Sequence, residues 1–350
     1  LDQSAAAPRN ILFFTAMLKT GGAEHHLLDL CSYLSRRGHV PSVCSLRKGG
    51  TLKPRFESSG VTVHELPIGS LRDLIRPRMR RRLREIVASA RPDILHAHLY
   101  AAEAAGAVAA GMTGLPLVVT RHSSGLEFNG YRRIVAAATR RKIRRVIAVS
   151  DEAAAEAVRL GARPGSVVTI PNGVDTSRFR PADPDVRLSE RERLLEEEFP
   201  GGRPDCFLAG YVGGLKPGKG LEMLLEAFAA FKSGTGGPGE SARLLLVGEG
   251  ISREKLERQV ADLGLQGEVA LPGLTQRPEQ YLQLLDLFVL PSYSEGVPIA
   301  LLEAMSTGLA CAVTGVGGMP STLSDCGVVF DPGDTDGLSS IMADLASDEA

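Results

Sequence analysis

The sequence predicts an α/β protein made of two tandem, Rossmann-like, doubly wound domains. Three observations carry that expectation. Short apolar, β-branched runs alternate with stretches of helical period along the whole chain. The alternation breaks once, at a segment rich in Pro, Gly and charge, and then restarts. At 350 residues the chain also exceeds what one hydrophobic core ordinarily holds.

The first series of strand runs is Asn10–Ala16, Pro41–Leu46, Val61–Leu66, Asp93–Leu99, Leu117–His122, Val146–Ser150 and Val167–Pro171. Helical stretches such as Ala23–Arg36, Ala101–Ala110 and Glu152–Leu160 lie between them. A strand, a helix and another strand in succession return the chain to the same end of the sheet, so the strands are expected to be parallel and covered on both faces. The second series is Phe207–Val212, Arg243–Val247, Val269–Leu271, Leu287–Pro291, Ala310–Thr314 and Gly327–Phe330. Between the two series, Pro171–Asp205 holds no strand run and is expected to be a linker with one short helix. The expected organisation is a first domain over 1–172, a linker over 173–205 and a second domain over 206–350. Ligands in such sheets bind beyond the carboxyl ends of the strands, so an interdomain cleft is the expected site.

Composition excludes several classes. The chain is 43% hydrophobic and 23% charged, and no apolar run approaches the roughly 18 residues of a spanning helix. It has no Trp, and only 5% of residues are aromatic, which argues against a platform of stacked rings for nucleic acid. Cys31, Cys44, Cys206, Cys311 and Cys326 show no C-x-x-C spacing and are expected as buried free thiols in a reducing, cytoplasmic setting. The opening LDQSAAAPRN has neither an initiator Met nor an apolar leader and reads as a processed or fragment edge.

The net charge of −1 hides a division. Residues 1–175 hold 26 Lys+Arg against 14 Asp+Glu, a net of +12, and the remainder holds 14 against 27, a net of −13. Arg76–Arg84 (RPRMRRRLR) and Arg140–Arg145 (RRKIRR) are the dense basic patches. They suit a solvated or docking face, or peripheral attachment to an anionic membrane at about 1 kcal/mol per basic residue. Without interleaved aromatics they do not read as a nucleic-acid surface.

The chemistry concentrates in Leu290–Gly308, LPSYSEGVPIALLEAMSTG. A buried strand run ends in a polar turn, and Pro298 stands where a helix would begin. The amides of Gly296, Val297 and Ile299 are expected to face out from a helix N-terminus, where phosphate oxygens are favoured. Gly296 permits close approach to the backbone. Glu295 and Glu303, eight residues apart, suit sugar hydroxyls better than phosphate. Each alone also fits a first-turn or capping acid.

The string E-G-V-P-I-A-L-L-E-A-M resembles the E-x7-E signature of retaining glycosyltransferases of family 4, which have the GT-B fold. The resemblance implies that Glu295 lies near the transferred sugar, that Gly296, Val297, Pro298 and Ile299 meet the sugar and diphosphate, and that Glu303 binds the ribose. Phe207–Phe228 (FLAGYVGGLKPGKGLEMLLEAF) resembles the family's strand–G-R-L-x-x-x-K-G–helix element. Gly213, Lys219 and Gly220 match it, which implies that Lys219 holds the diphosphate. Gly214 stands where the family has Arg, and Lys216 is a partial replacement that lacks the bidentate guanidinium.

In the first half, Thr20-Gly21-Gly22-Ala23-Glu24 resembles the family's glycine-rich loop beneath the acceptor and donor phosphate. It is not G-x-G-x-x-G, which counts against a dinucleotide-dependent dehydrogenase. His98, in DILHAH, and His122, in VVTRH, resemble family positions at the cleft, with His122 near the reacting sugar. His96 and His98 are expected on opposite faces of their strand, which argues against a paired metal site. Ile170–Phe179 resembles the interdomain crossing, and the final family helix is expected to be missing after the helical stretch Leu338–Leu345. Asp183-Pro184-Asp185 and Asp334-Thr335-Asp336 spell D-x-D but fall away from strand ends, so no metal and no cofactor is expected. The resemblance implies a nucleotide-sugar donor and a glycan, lipid-linked or small-molecule acceptor. A sugar-nucleotide epimerase of the same fold, or a relative that binds donor without turnover, remains as an alternative.

Overall fold

The computed structural model describes residues 7–19, 21–98, 100–122, 137–234 and 239–347. Thr20 of the glycine-rich loop, Leu99, and the first six residues of the opening segment lie outside the described residues. The chain divides into two compact units, Leu1–Asn172 and Gly173–Ala350.

The first unit is built on a wholly parallel sheet of order β3-β2-β1-β4-β5-β6-β7. Its strands are β1 (Asn10–Thr15), β2 (Val40–Ser45), β3 (Thr62–Glu65), β4 (Ile94–His98), β5 (Leu117–Arg121), β6 (Ile143–Ala148) and β7 (Val167–Thr169). Helices α1 (Gly22–Arg36), α2 (Lys53–Ser58), α3 (Pro77–Ala90), α4 (Tyr100–Thr113) and α5 (Asp151–Arg159) connect them. Side chains alternate across a strand. Leu12 and Phe14 of β1 therefore enter one core with Leu95 and Leu117, while Phe13 enters the other with Leu27 and Val43. Two cores on two faces make the sheet doubly wound. β6 begins three residues earlier than its predicted run, so Ile143, Arg144 and Arg145 of the second basic patch belong to a strand.

The second unit repeats the plan with order β10-β9-β8-β11-β12-β13, again parallel throughout. Its strands are β8 (Leu208–Val212), β9 (Arg243–Val247), β10 (Val269–Gly273), β11 (Leu287–Leu290), β12 (Ala310–Thr314) and β13 (Val328–Phe330). Helices α6 (Pro184–Glu198), α7 (Leu221–Lys232), α8 (Arg253–Asp262), α9 (Pro278–Leu282), α10 (Ile299–Ser306), α11 (Met319–Leu323) and α12 (Thr335–Ser347) complete it. The short helix expected in the linker is instead α6, 15 residues long, with Leu194 and Leu195 buried in this unit's core. Asp286, its side chain 4% exposed, ties it down: Arg187 and Arg191 both donate to its carboxylate, at 2.6 Å each, and Leu208 N donates at 2.8 Å. Four of the five cysteines are buried and Cys326 is exposed; all are free.

Candidate functional site

Each sheet reverses its strand order once, between β1 and β4 in the first unit and between β8 and β11 in the second. At such a point the two following loops turn away from each other and leave a crevice at the carboxyl end of the sheet. In the second unit these loops are Gly213–Gly220, entering α7, and Pro291–Pro298, entering α10. They hold Gly213, Gly214, Lys219, Glu295, Gly296, Val297 and Pro298 of the predicted donor set, with Ile299 and Glu303 in α10.

Three contacts pin the two loops together. Tyr293 N donates to Gly218 O at 2.9 Å. Gly220 has φ +69°, and a Cβ there would stand 1.9 Å from Pro291 O, so no larger residue fits. Lys219 Nζ donates to Glu295 Oε1, which also accepts from Ser292 Oγ at 2.8 Å. The pair is partly covered, the side chains retaining 28% and 13% of their exposure. The loop after β12 braces the arrangement from behind: Gly318 N donates to Gly296 O at 2.9 Å. Gly317, at φ +57°, lets the loop pass so close that a Cβ would lie 2.0 Å from Glu295 O.

Gly296 and Val297 are buried, while Pro298, Ile299 and Glu303 are half-buried. Pro298 is the extended N-cap of α10, without a side-chain cap, and α7 likewise starts at Gly220 without one. Two helix N-termini therefore open at one switch point beside a lysine, an arrangement that favours a multiply charged anion. The bracing glycines of the third loop escaped the sequence reading; the dipeptide Gly317-Gly318 just past a buried strand run is the signal that would have found them.

In the first unit, Gly21 caps α1 in an extended conformation and Gly22 opens it, with nothing within 4 Å of where its Cβ would stand. Gly21-Gly22 follows β1, His98 ends β4 and His122 follows β5. His98 Nδ1 lies 2.9 Å from His122 Nε2, so one ring donates to the other, and His96 Nε2 shares a 2.8 Å hydrogen bond with Thr120 Oγ1. The expectation that His96 and His98 point to opposite faces is wrong. Residues two apart on a strand share a face, and their ring centroids stand 4.6 Å apart, on the side of Phe13. His26 of α1 completes the cluster, 5.5 Å from His122 and 6.2 Å from His98 between centroids. Burial, helped by the neighbouring rings, drives His96 and His122 down to about 3 and His98 well below its ordinary value, and burial alone lowers His26. The cluster is neutral at physiological pH and offers hydrogen bonds rather than charge. Among the described residues, no group of three or more His, Cys, Asp or Glu is placed to hold a metal ion.

Comparisons with known proteins agree with this architecture. Residues 20–178 match the model of Glycosyltransferase Family 4, and residues 207–348 match that of Glycosyl transferases group 1. A Bacillus subtilis protein assigned as the teichuronic acid biosynthesis glycosyltransferase TuaC is 32% identical over 242 residues. That match takes in 66% of this chain, and the chain spans 55% of that relative. A D-inositol 3-phosphate glycosyltransferase of Acidothermus cellulolyticus is 28% identical over 338 residues, with 87% of this chain and 73% of the relative covered. Among solved structures, Anabaena HepE in complex with UDP and glucose superposes with a TM-score of 0.82 at 25% identity, covering 97% of this chain and 90% of that one. The two matches together take in most of the chain, and its fold is that of the GT-B glycosyltransferases.

Within this fold, the departure at Gly214 has a local consequence. Lys216 folds over the glycine, its Cε 3.2 Å and its Nζ 3.7 Å from where a Cβ would stand. Both D-x-D strings are helix starts. Asp183 caps α6 by accepting from Asp185 N, and Asp334 accepts from Gly337 N at the head of α12. Helix α3 turns Leu83, Ile86 and Val87 inward and Arg78, Arg80, Arg81, Arg82 and Arg84 outward. Arg81 and Arg82 pair with Glu85, whereas no carboxylate among the described residues lies within 4 Å of Arg78, Arg80 or Arg84. No helix among the described residues is long and apolar enough to cross a membrane.

Proposed function

We propose that this chain is a glycosyltransferase that takes a sugar from a nucleoside diphosphate sugar with retention of configuration and without a metal ion. The observation that carries the reading is the convergence of Lys219, Glu295 and the N-termini of α7 and α10 on the β8/β11 switch point. In this reading the second unit binds the donor. Lys219, joined by Lys216 across Gly214, and the amides at the head of α10 stabilise the charge that grows on the leaving diphosphate. Glu295 accepts from hydroxyls of the transferred sugar, and Glu303 from those of the ribose. The transition state is oxocarbenium-like, and no side chain is assigned as a covalent nucleophile, so the acceptor hydroxyl attacks from the face the diphosphate leaves and gives its proton to that departing diphosphate.

Gly21, Gly22 and His98 of the first unit are assigned to the acceptor, a glycan, lipid-linked or small molecule, and His122 to catalysis at the reacting sugar. The names of TuaC and of the inositol 3-phosphate transferases support that range. The exposed arginines of α3 suit peripheral contact with an anionic membrane. Sedimentation with phosphatidylglycerol vesicles tests this: binding that is lost in Arg78→Gln/Arg80→Gln/Arg84→Gln supports it, and absence of binding at low salt removes it.

The deciding experiment measures donor binding and donor hydrolysis across UDP-, GDP- and ADP-sugars. A specific donor stabilises the folded chain by RT ln(1 + [L]/Kd) and so raises its melting temperature, and Lys219→Ala and Glu295→Ala each lower turnover by on the order of 10²–10³. Unaltered hydrolysis in both variants rejects the site. Gly214 favours one other reading, binding without turnover. Tight donor binding with no hydrolysis or transfer selects it.

A further inference from the structure

The first unit contains a cavity of about 330 Å³, at the small end of the 300–1,000 Å³ typical of ligand sites. It contains none of the residues assigned above to donor or acceptor. Its charged lining is Arg121, Arg140, Arg141 and Arg163 against the single carboxylate of Glu103, a formal excess of three positive charges. Ile143, Val146, Ala157 and Leu160 supply an apolar wall.

Two features set this lining apart from a solvated basic surface. First, Glu103 is 1% exposed, and it holds Arg121 Nη2 at 2.8 Å through Oε2 and accepts from Thr139 Oγ1 at 2.8 Å through Oε1. The contact with Arg121 is one of charge without hydrogen-bond alignment. Glu103 Oε2 and Arg121 Nε are consequently buried with no hydrogen-bond partner among the described residues. A buried acceptor and a buried donor without partners cost folding free energy unless something completes them. Second, Arg140, Arg141 and Arg163 are exposed at residue level and form no ion pair among the described residues, although they converge on one cavity from two segments. The turn that brings Arg163 in begins at Gly161, whose φ of +90° is open to glycine, and Arg140 Nη1 passes 3.2 Å from where a Cβ there would stand.

We propose that this cavity binds a small phosphorylated polyol, such as a sugar phosphate. The free guanidiniums match a dianionic phosphate ester, which arginine grips by paired N–H donors. Glu103 Oε2 matches a hydroxyl on the same molecule, and the apolar wall matches its carbon skeleton. A bare phosphate leaves the carboxylate unsatisfied, and a neutral sugar leaves the arginines so.

The test is titration calorimetry on the full chain with glucose 6-phosphate, inorganic phosphate, glucose and phosphatidylglycerol vesicles as separate probes. Glucose 6-phosphate is expected to bind at least tenfold more tightly than inorganic phosphate, and glucose not at all. Arg140→Gln/Arg163→Gln, both at exposed positions, is expected to weaken glucose 6-phosphate at least tenfold while UDP still binds as in the unsubstituted chain. Equal affinity for glucose 6-phosphate and inorganic phosphate overturns the proposal, as does binding unchanged in the double variant. Binding of the vesicles but not of the soluble ester assigns the arginines to a lipid surface and also overturns it. Loss of UDP binding in the unsubstituted chain would count against the donor site, not against this cavity.

Discussion

Lys219 cannot be fully engaged by Glu295 and by a diphosphate at the same time, and replacing Glu295 by Gln measures that competition. In the free protein Glu295 Oε1 accepts from both Lys219 Nζ and Ser292 Oγ, and the pair keeps 28% and 13% of its side-chain exposure. An ion pair screened to that degree contributes about 1 kcal/mol at most, and a diphosphate must displace or share it. The carboxylate also repels the incoming anion: at roughly 8 Å and a water-like effective dielectric of about 80, the two negative charges of a diphosphate make that about 1 kcal/mol. Glu295→Gln keeps the shape and leaves an oxygen for Ser292 while removing both effects. UDP, measured by titration calorimetry, is therefore expected to bind roughly 5–30-fold more tightly. Turnover with the preferred UDP-sugar is expected to fall by on the order of 10², because the amide is a weaker acceptor for the sugar hydroxyls where charge develops. Weaker UDP binding in the variant refutes the competition and shows that Glu295 instead holds Lys219 in place for phosphate. Unchanged turnover removes Glu295 from the reacting centre.

Three further perturbations test other parts of the structure. Asp286→Ala leaves Arg191, 5% exposed, without its carboxylate, and urea denaturation is expected to show a loss of about 3–5 kcal/mol from the second unit. A loss below 1 kcal/mol would mean that α6 is held by its apolar contacts alone. Gly317→Ala forces a Cβ to 2.0 Å from Glu295 O at φ +57°, a strain of roughly 1–3 kcal/mol, and is expected to lower both stability and UDP affinity. Unaltered affinity in a destabilised variant would separate the brace from the donor site. Stability should also depend on pH through the histidines. His96 and His122 have folded values of about 3 against 6.5 unfolded, so the unfolded chain binds more protons below 6.5. Their contribution is complete above pH 6.5 and is lost as pH falls towards 3, on the order of 2 kcal/mol per histidine by pH 5. His96→Asn/His122→Asn should flatten the fall in first-unit melting temperature between pH 7 and 5, and an equally steep fall would assign it to other groups.

The strand runs were legible because a parallel sheet covered on both faces must be apolar at successive positions, as in LLLV of β9 and LFVL of β11. The positions of Lys219 before α7, and of Glu295 and Glu303 about the start of α10, were legible because spacing along each segment fixes a residue's place against a helix start. The helix α6 was underestimated because its partners are distant in sequence: Arg191 meets Asp286 95 residues on, and no local pattern announces that. The histidine cluster draws His96 and His98 from one face of β4, since a strand repeats every two residues, and His26 from another element that no local pattern links to it. The arginine cavity was hidden in a string that read as a surface patch, because Ile143–Ala148 turned out to be a strand and Arg163 arrives from the next turn.

Composition and periodicity alone thus determined two doubly wound α/β units, and the string from Glu295 to Met305 determined a polar helix start after a buried strand. These are properties of neighbours in sequence, set by sterics and solvent. Only the tertiary structure decided that Lys219 meets Glu295 across 76 residues, that Gly220 and Gly317 clear the space for that meeting, and that a buried oxygen of Glu103 is ion-paired with Arg121 but has no hydrogen-bond partner among the described residues. Such contacts depend on the order of strands in the sheet, which brings β8 beside β11 and β1 beside β4, and the order of strands is chosen by packing rather than by any local residue pattern.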